Sequence, residues 1–189
     1  MKVLGLSGSL RRGSFNTAAL RAAQDLVPAG VTIETAEIGD LPLYNEDVRA
    51  VGNPPPVERL RSQMAAADAL LIVTPEYNYS VPGVLKNAID WASRPPNQPF
   101  DGKPVAIMGA SPGLLGTARA QYHLRQMLVF LNAMPINKPE VFITQANTKF
   151  DEAGRLTDEP TRDMIRKLLQ SLADWTNRLQ RSAAGGPSA

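Results

Sequence analysis

The run Ala69-Leu70-Leu71-Ile72-Val73-Thr74 constrains the fold of this chain more than any other segment. It is aliphatic without alternation, so both faces of the strand it forms must be covered. Such a strand belongs in the middle of a parallel sheet with helices packed above and below. The rest of the chain agrees. Lys2 to Leu6, Val31 to Ile38, Pro104 to Gly109 and Pro139 to Thr144 read as further strands. Apolar residues recur at helical spacing over Asn16 to Val27, Val57 to Ala67, a segment from about Val81, Thr117 to Leu131, and Glu159 to Gln180. Ser80 is placed to cap the helix near Val81, with Pro82 in its first turn, where a missing N–H costs nothing. Gly39 to Pro56 reads as a loop, closed by Pro54-Pro55-Pro56.

Strands alternating with helices predict an α/β fold, three layers deep, with helices on both faces of a five-stranded parallel sheet. A length of 189 residues suits a single domain, taken here as 1–181, with the small, polar stretch 182–189 as a flexible tail. Composition excludes several functions. The net charge is +2, and the arginines are scattered without interleaved aromatics, so nucleic acid is not an expected partner. No stretch approaches the roughly 20 apolar residues of a membrane span, and Val3 to Leu6 is too short for the core of a secretory signal. There is no cysteine, hence no disulfide, thiolate metal site or cysteine nucleophile; a cytoplasmic protein fits this, and no metal is expected.

In open parallel sheets ligands bind outside the carboxyl ends of the strands, so the loops that follow the strands are informative. After the first strand comes Ser7-Gly8-Ser9-Leu10-Arg11-Arg12-Gly13-Ser14-Phe15-Asn16-Thr17. Ser9, Ser14 and Thr17 offer hydroxyls, Asn16 an amide, and Arg11 a permanent cation able to grip two phosphate oxygens. The next helix turns its free N–H groups toward the same place. The dinucleotide fingerprint does not fit, because Gly5 and Gly8 are wrongly spaced. A nucleotide-triphosphate P-loop does not fit either: Gly8 and Gly13 have its separation, but Ser14 stands in place of its lysine and Phe15 in place of its Ser/Thr. The bland alternative is a capped helix with Arg11 solvated.

After the third strand, Thr74-Pro75-Glu76-Tyr77-Asn78-Tyr79-Ser80-Val81-Pro82-Gly83 forms a loop stiffened by prolines and tyrosines. It suits the edge of a flat heteroaromatic ring, met by backbone N–H groups and an aromatic side chain; a turn capping the next helix is the simpler reading. After the fourth strand, Gly109-Ala110-Ser111-Pro112-Gly113-Leu114-Leu115-Gly116 again allows close backbone approach, or serves as a plain connector. All three loops fall on one edge of the predicted sheet. The sole histidine, His123, lies mid-helix and reads as structural or as a subunit contact.

Gly8-Ser9-Leu10-Arg11 with Ser14 and Asn16, Pro75-Glu76-Tyr77-Asn78, and Pro82-Gly83 followed by Leu85-Lys86-Asn87-Ala88-Ile89-Asp90-Trp91 together resemble the NADPH-dependent FMN reductase family. Ala118-Arg119, Gln121 to Gln126 and Asn137-Lys138-Pro139-Glu140 resemble its bacterial chromate and quinone reductases. The resemblance implies a flavodoxin-like fold with strand order 2-1-3-4-5. It also implies non-covalent FMN, NADPH or NADH as electron donor, and quinones as acceptors, with chromate, azo or nitro compounds and free flavin accepted less selectively. On it, Ser9, Arg11, Ser14, Asn16 and Thr17 hold the phosphate, Pro75, Glu76, Tyr77 and Asn78 border the isoalloxazine, and Ser111 and Gly113 approach it from the third loop. It implies no catalytic acid or base, because the flavin carries the redox chemistry. It also implies a homodimer or homotetramer, with the helices from Thr117 and from Val81 as contact surfaces. A flavodoxin-type electron carrier, which holds FMN without turning over NAD(P)H by itself, is the competing reading.

Overall fold

The structure is a computed structural model that describes residues 1–184 of the chain. Its sheet contains β1 (Lys2–Ser7), β2 (Thr32–Ala36), β3 (Ala69–Val73) and β4 (Pro104–Ala110), with two short pieces, β5 (Met134–Pro135) and β6 (Val141–Ile143), both paired to β4. The order is β2-β1-β3-β4-β5, and every pairing is parallel. The central run behaves as its sequence requires: β3 and β4 are buried along their whole lengths.

Alternate residues of β3 serve two separate cores. Leu71 and Val73 join Met108, Ala19, Leu20 and Ala23 of α1 (Phe15–Asp25), and Leu168 and Leu172 of α6 (Glu159–Ala184). Leu70 and Ile72 join Ile107, then Leu60 and Met64 of α3 (Pro55–Ala66), Leu85 and Trp91 of α4 (Gly83–Ala92), and Leu124 and Leu128 of α5 (Ala118–Phe130). The strand period of two thus sends neighbouring residues into opposite layers, which is why the run is apolar at every position.

Four sequence expectations are corrected. The fifth strand, expected over Pro139 to Thr144, is split. The chain pairs with β4 at Met134 and Pro135, Ile136 N–H still reaches the Val105 carbonyl at 2.9 Å, and pairing resumes only at Val141. Between them Pro139 has no N–H to offer a ladder. The loop from Gly39 to Pro56 contains a short helix, α2 (Glu46–Ala50), capped by the Asn45 side chain, which accepts from Asp47 N–H at 2.9 Å. Ser80 caps nothing: α4 starts at Gly83 with Pro82 at its N-cap and without a side-chain cap. The last helix continues through Ala184, so the expected tail 182–189 begins inside it, and 185–189 lie outside the described residues.

Since all strands run the same way, the loops after β1, β3 and β4 leave from one edge. The winding direction reverses between β1 and β3, the switch point where such sheets hold ligands.

Candidate functional site

The loop after β1 gathers hydroxyls, an arginine and the start of a helix. Ser14 is the N-cap of α1, and its Oγ accepts from the N–H groups of Asn16 at 3.2 Å and Thr17 at 3.3 Å. A capping hydroxyl beside the first-turn N–H groups, at the positive end of the helix dipole, favours a negative ligand. Ser9 is nearly buried, with its Oγ 3.4 Å from Arg11 N–H. The hydroxyls of Thr17 and Ser7 are 2.8 Å apart. Arg11 is exposed, lies 5.7 Å from the centroid of the Phe15 ring, and among the described residues belongs to no ion pair. An exposed guanidinium without a carboxylate beside a helix N-terminus is the donor a phosphate monoester needs. Asn16 contributes only its backbone here, because its carboxamide is turned to Ala110 at the end of β4.

The second loop abuts the first. A Cβ on Gly8 would lie 3.2 Å from both Pro75 Cδ and Thr74 Oγ1, so the absent side chain permits this close approach. Beyond Pro75 the chain makes a tight turn in which Tyr77 and Ser80 exchange both backbone hydrogen bonds at 3.0 Å. Its central residues, Asn78 and Tyr79, have φ of 50° and 66°, the left-handed conformation of a type I′ turn. Asparagine tolerates it; tyrosine does not readily. The Arg119 guanidinium sits 3.7 Å from the Tyr79 ring centroid, a cation–π contact. Glu76, with its side chain only 6% exposed, meets the first turn of α5. Its carboxylate accepts from Arg119 N–H at 3.0 Å and Ala120 N–H at 3.2 Å, and pairs with the Arg119 guanidinium at 2.5 Å. Ser80 Oγ, freed from capping, lies 3.1 Å from His123 Nδ1.

The third loop is fixed from below. Gly109 admits no side chain, since a Cβ there would be 2.1 Å from Thr117 Oγ1 and 2.2 Å from the Thr74 carbonyl oxygen. Ser111 N–H donates to the Ile143 carbonyl at 3.0 Å, and Ser111 Oγ accepts from Gly113 N–H at 3.1 Å. Leu114 and Leu115 are exposed, as are Tyr77 and Tyr79 of the second loop.

The structure therefore gathers Ser9, Arg11, Ser14, Thr17, Pro75, Glu76, Tyr77, Asn78, Ser111 and Gly113 on one sheet edge, with the side chains of Asn16 and Glu76 committed to the protein itself. Sequence reasoning did not single out Arg119, Ala110 or Tyr79 as site residues. Arg119 and Ala110 act through partners 43 and 94 residues away, and no local pattern signals that. Among the described residues no group of three or more His, Asp or Glu side chains could hold a metal, and no helix is long and apolar enough to cross a membrane. The donors fit FMN: hydroxyls, helix N–H groups and an uncommitted arginine for its phosphate, next to a turn of tyrosines at the switch point.

Known proteins match this reading. The profile of NADPH-dependent FMN reductase covers residues 1–148. An NAD(P)H-dependent FMN reductase of Pseudomonas aeruginosa is 64% identical over 180 residues, spanning 95% of this chain and 97% of the relative. A quinone reductase of Escherichia coli is 47% identical over 183 residues, again 95% and 97% of the two chains. Among solved structures, the flavoenzyme NAD(P)H:(acceptor) oxidoreductase FerB of Paracoccus denitrificans superposes with a TM-score of 0.85 at 38% identity, covering 94% of this chain and 97% of its own. On fold, site and sequence together, the chain belongs to the NADPH-dependent FMN reductase family.

Proposed function

We propose that the protein is an FMN-dependent NAD(P)H oxidoreductase that delivers electrons to quinones. The observation that carries this is the phosphate cradle at Ser9 to Thr17, where Arg11, lying over the Phe15 ring, has no acidic partner among the described residues, set directly against the Pro75 turn. The names borne by relatives of high identity point the same way. Bound FMN supplies the two-electron chemistry, between NADPH or NADH and the acceptor.

The chain's own residues do the rest. Ser9, Arg11, Ser14, Thr17 and the Asn16 N–H bind the phosphate. The backbone from Pro75 to Asn78 would border the ring, and Ser111 with Gly113 would approach it from the third loop. Tyr77, Leu114 and Leu115, exposed by 51%, 77% and 58% on two loops that leave the same sheet edge, are the apolar side chains that would line a mouth for a planar quinone. The same mouth serves donor and acceptor in turn, so steady-state kinetics give parallel double-reciprocal lines. Permissive acceptors of the same kind include chromate and azo compounds. The test is NADPH oxidation by the purified, FMN-loaded protein with a quinone. A rate no higher than that of free FMN overturns the enzyme reading in favour of an electron carrier.

We also propose a homodimer or homotetramer. Tyr122, Val129 and Phe130 share the outer stripe of α5, exposed by 49%, 77% and 85%; an apolar stripe of this kind marks an association surface. The proposed setting is the cytoplasm, where reduced nicotinamide is replenished.

A further inference from the structure

Asn16 sits in the middle of the cradle, yet its side chain is only 3% exposed and takes no part in it. Its Nδ2 donates to the Ala110 carbonyl at 2.9 Å, and its Oδ1 accepts from the Ala110 N–H at 2.8 Å. The sheet explains why that partner needs it. Met108 accepts from Thr74 N–H at 3.0 Å, so Met108 and, two residues on, Ala110 both face β3. Ser111, on the other parity, donates to Ile143 on the opposite side. β3 ends at Val73, and the chain turns away after Thr74, so no strand residue runs alongside Ala110 on that side. The N–H and carbonyl of Ala110 would be left unpaired in the interior, a costly state for a peptide group. The Asn16 carboxamide has the donor and acceptor of a peptide, and it occupies the place of the missing strand residue.

We propose that the Asn16 side chain positions the flavin and is not a phosphate ligand: its carboxamide ties the phosphate loop to the end of β4 and so sets where the Ser111–Gly113 loop meets the ring. The proposal rests on the reading of this edge as the FMN site. It changes what the residue discriminates. A phosphate ligand tells FMN from riboflavin; a bridge to the ring-side loop does not.

The experiment measures the affinities of the wild type, N16A and R11A for FMN and for riboflavin. N16A is expected to lose about tenfold for both flavins alike, whereas R11A loses affinity for FMN and keeps it for riboflavin. The visible circular dichroism of bound FMN, which reports the ring's surroundings, is expected to change in N16A and not in R11A; a residue needed only for stability would leave it unaltered. Loss of FMN affinity alone in N16A, or no loss, overturns the bridge. If R11A fails to separate the two flavins, the phosphate assignment of the loop fails instead. Should N16A not fold, the wild type decides by hydrogen exchange. The Ala110 amide is expected to stay protected with and without FMN. Its release on FMN binding would mean that Asn16 turns to the ligand, and would overturn the proposal.

Discussion

Glu76 caps a helix far along the chain: its Oε2 accepts the backbone N–H of Arg119, 43 residues later, at 3.0 Å. Thr117 holds the N-cap position of α5 but makes no side-chain cap bond there. Glu76 supplies what is missing and also pairs with the Arg119 guanidinium, which in turn lies on the Tyr79 ring. One carboxylate thereby joins the ring-side turn to α5. E76A removes a cap and leaves a part-buried guanidinium unpaired, at an expected loss of about 2 kcal/mol, with E76Q losing about half of that. Urea unfolding of both variants checks it; a loss in E76A below about 0.5 kcal/mol, the low end for a cap, contradicts the role.

Arg11 and Lys86 are both exposed cations near the site edge, and they differ in commitment. Lys86 Nζ already bonds both carboxylate oxygens of Asp90 at 2.8 Å on α4. Arg11 has no such partner. R11A is therefore expected to weaken FMN binding about ten- to a hundredfold, the worth of a charge-assisted hydrogen bond, while K86A leaves it near wild type. Flavin fluorescence titrations at fixed ionic strength measure both. Equal affinities in the two variants refute the assignment of Arg11 to the phosphate.

Gly109 and Gly113 lie in one segment and predict opposite outcomes. A methyl at 109 meets the Thr74 carbonyl oxygen at 2.2 Å, which is backbone and cannot move aside, whereas a methyl at 113 has only Ser111 Oγ nearby, at 3.5 Å. G109A is expected to lose at least about 2 kcal/mol by overpacking. G113A should change stability by less than about 0.5 kcal/mol, as surface substitutions do. Thermal unfolding of the two variants side by side tests the contrast.

The layers were legible because they are written in local pattern. The unbroken run at Ala69 to Val73 demanded cover on both faces, and β3 has it. The grouping of Ser9, Arg11 and Ser14 was legible for the same reason, since they sit within one turn and the start of one helix. Short elements were not. β5 is Met134–Pro135, and α2 has no buried residue to give it an apolar stripe. Ser80 looked like a helix cap because local sequence weighs hydroxyl and proline alone; the structure spends it in the turn with Tyr77. The roles of Asn16 and Glu76 were hidden most deeply. Each side chain answers an unpaired backbone group far along the chain, and nothing in its own neighbourhood announces that group.

The outer stripe of α5 gives the last prediction. Val129 and Phe130 are exposed by 77% and 85%, while Leu124 and Leu128 on the opposite side of the helix are fully buried. The inner residues account for the fold, so the outer ones are free to serve association. V129E/F130E puts charge on that stripe without touching the core, and is expected to leave the circular dichroism unchanged. In sedimentation velocity the wild type should run as a dimer or tetramer, and the double variant as a smaller species. Burying two such side chains contributes roughly 3–6 kcal/mol, enough to shift the equilibrium by at least about a hundredfold. A wild type that sediments as a monomer, or a double variant that keeps the wild-type size, places the contact elsewhere.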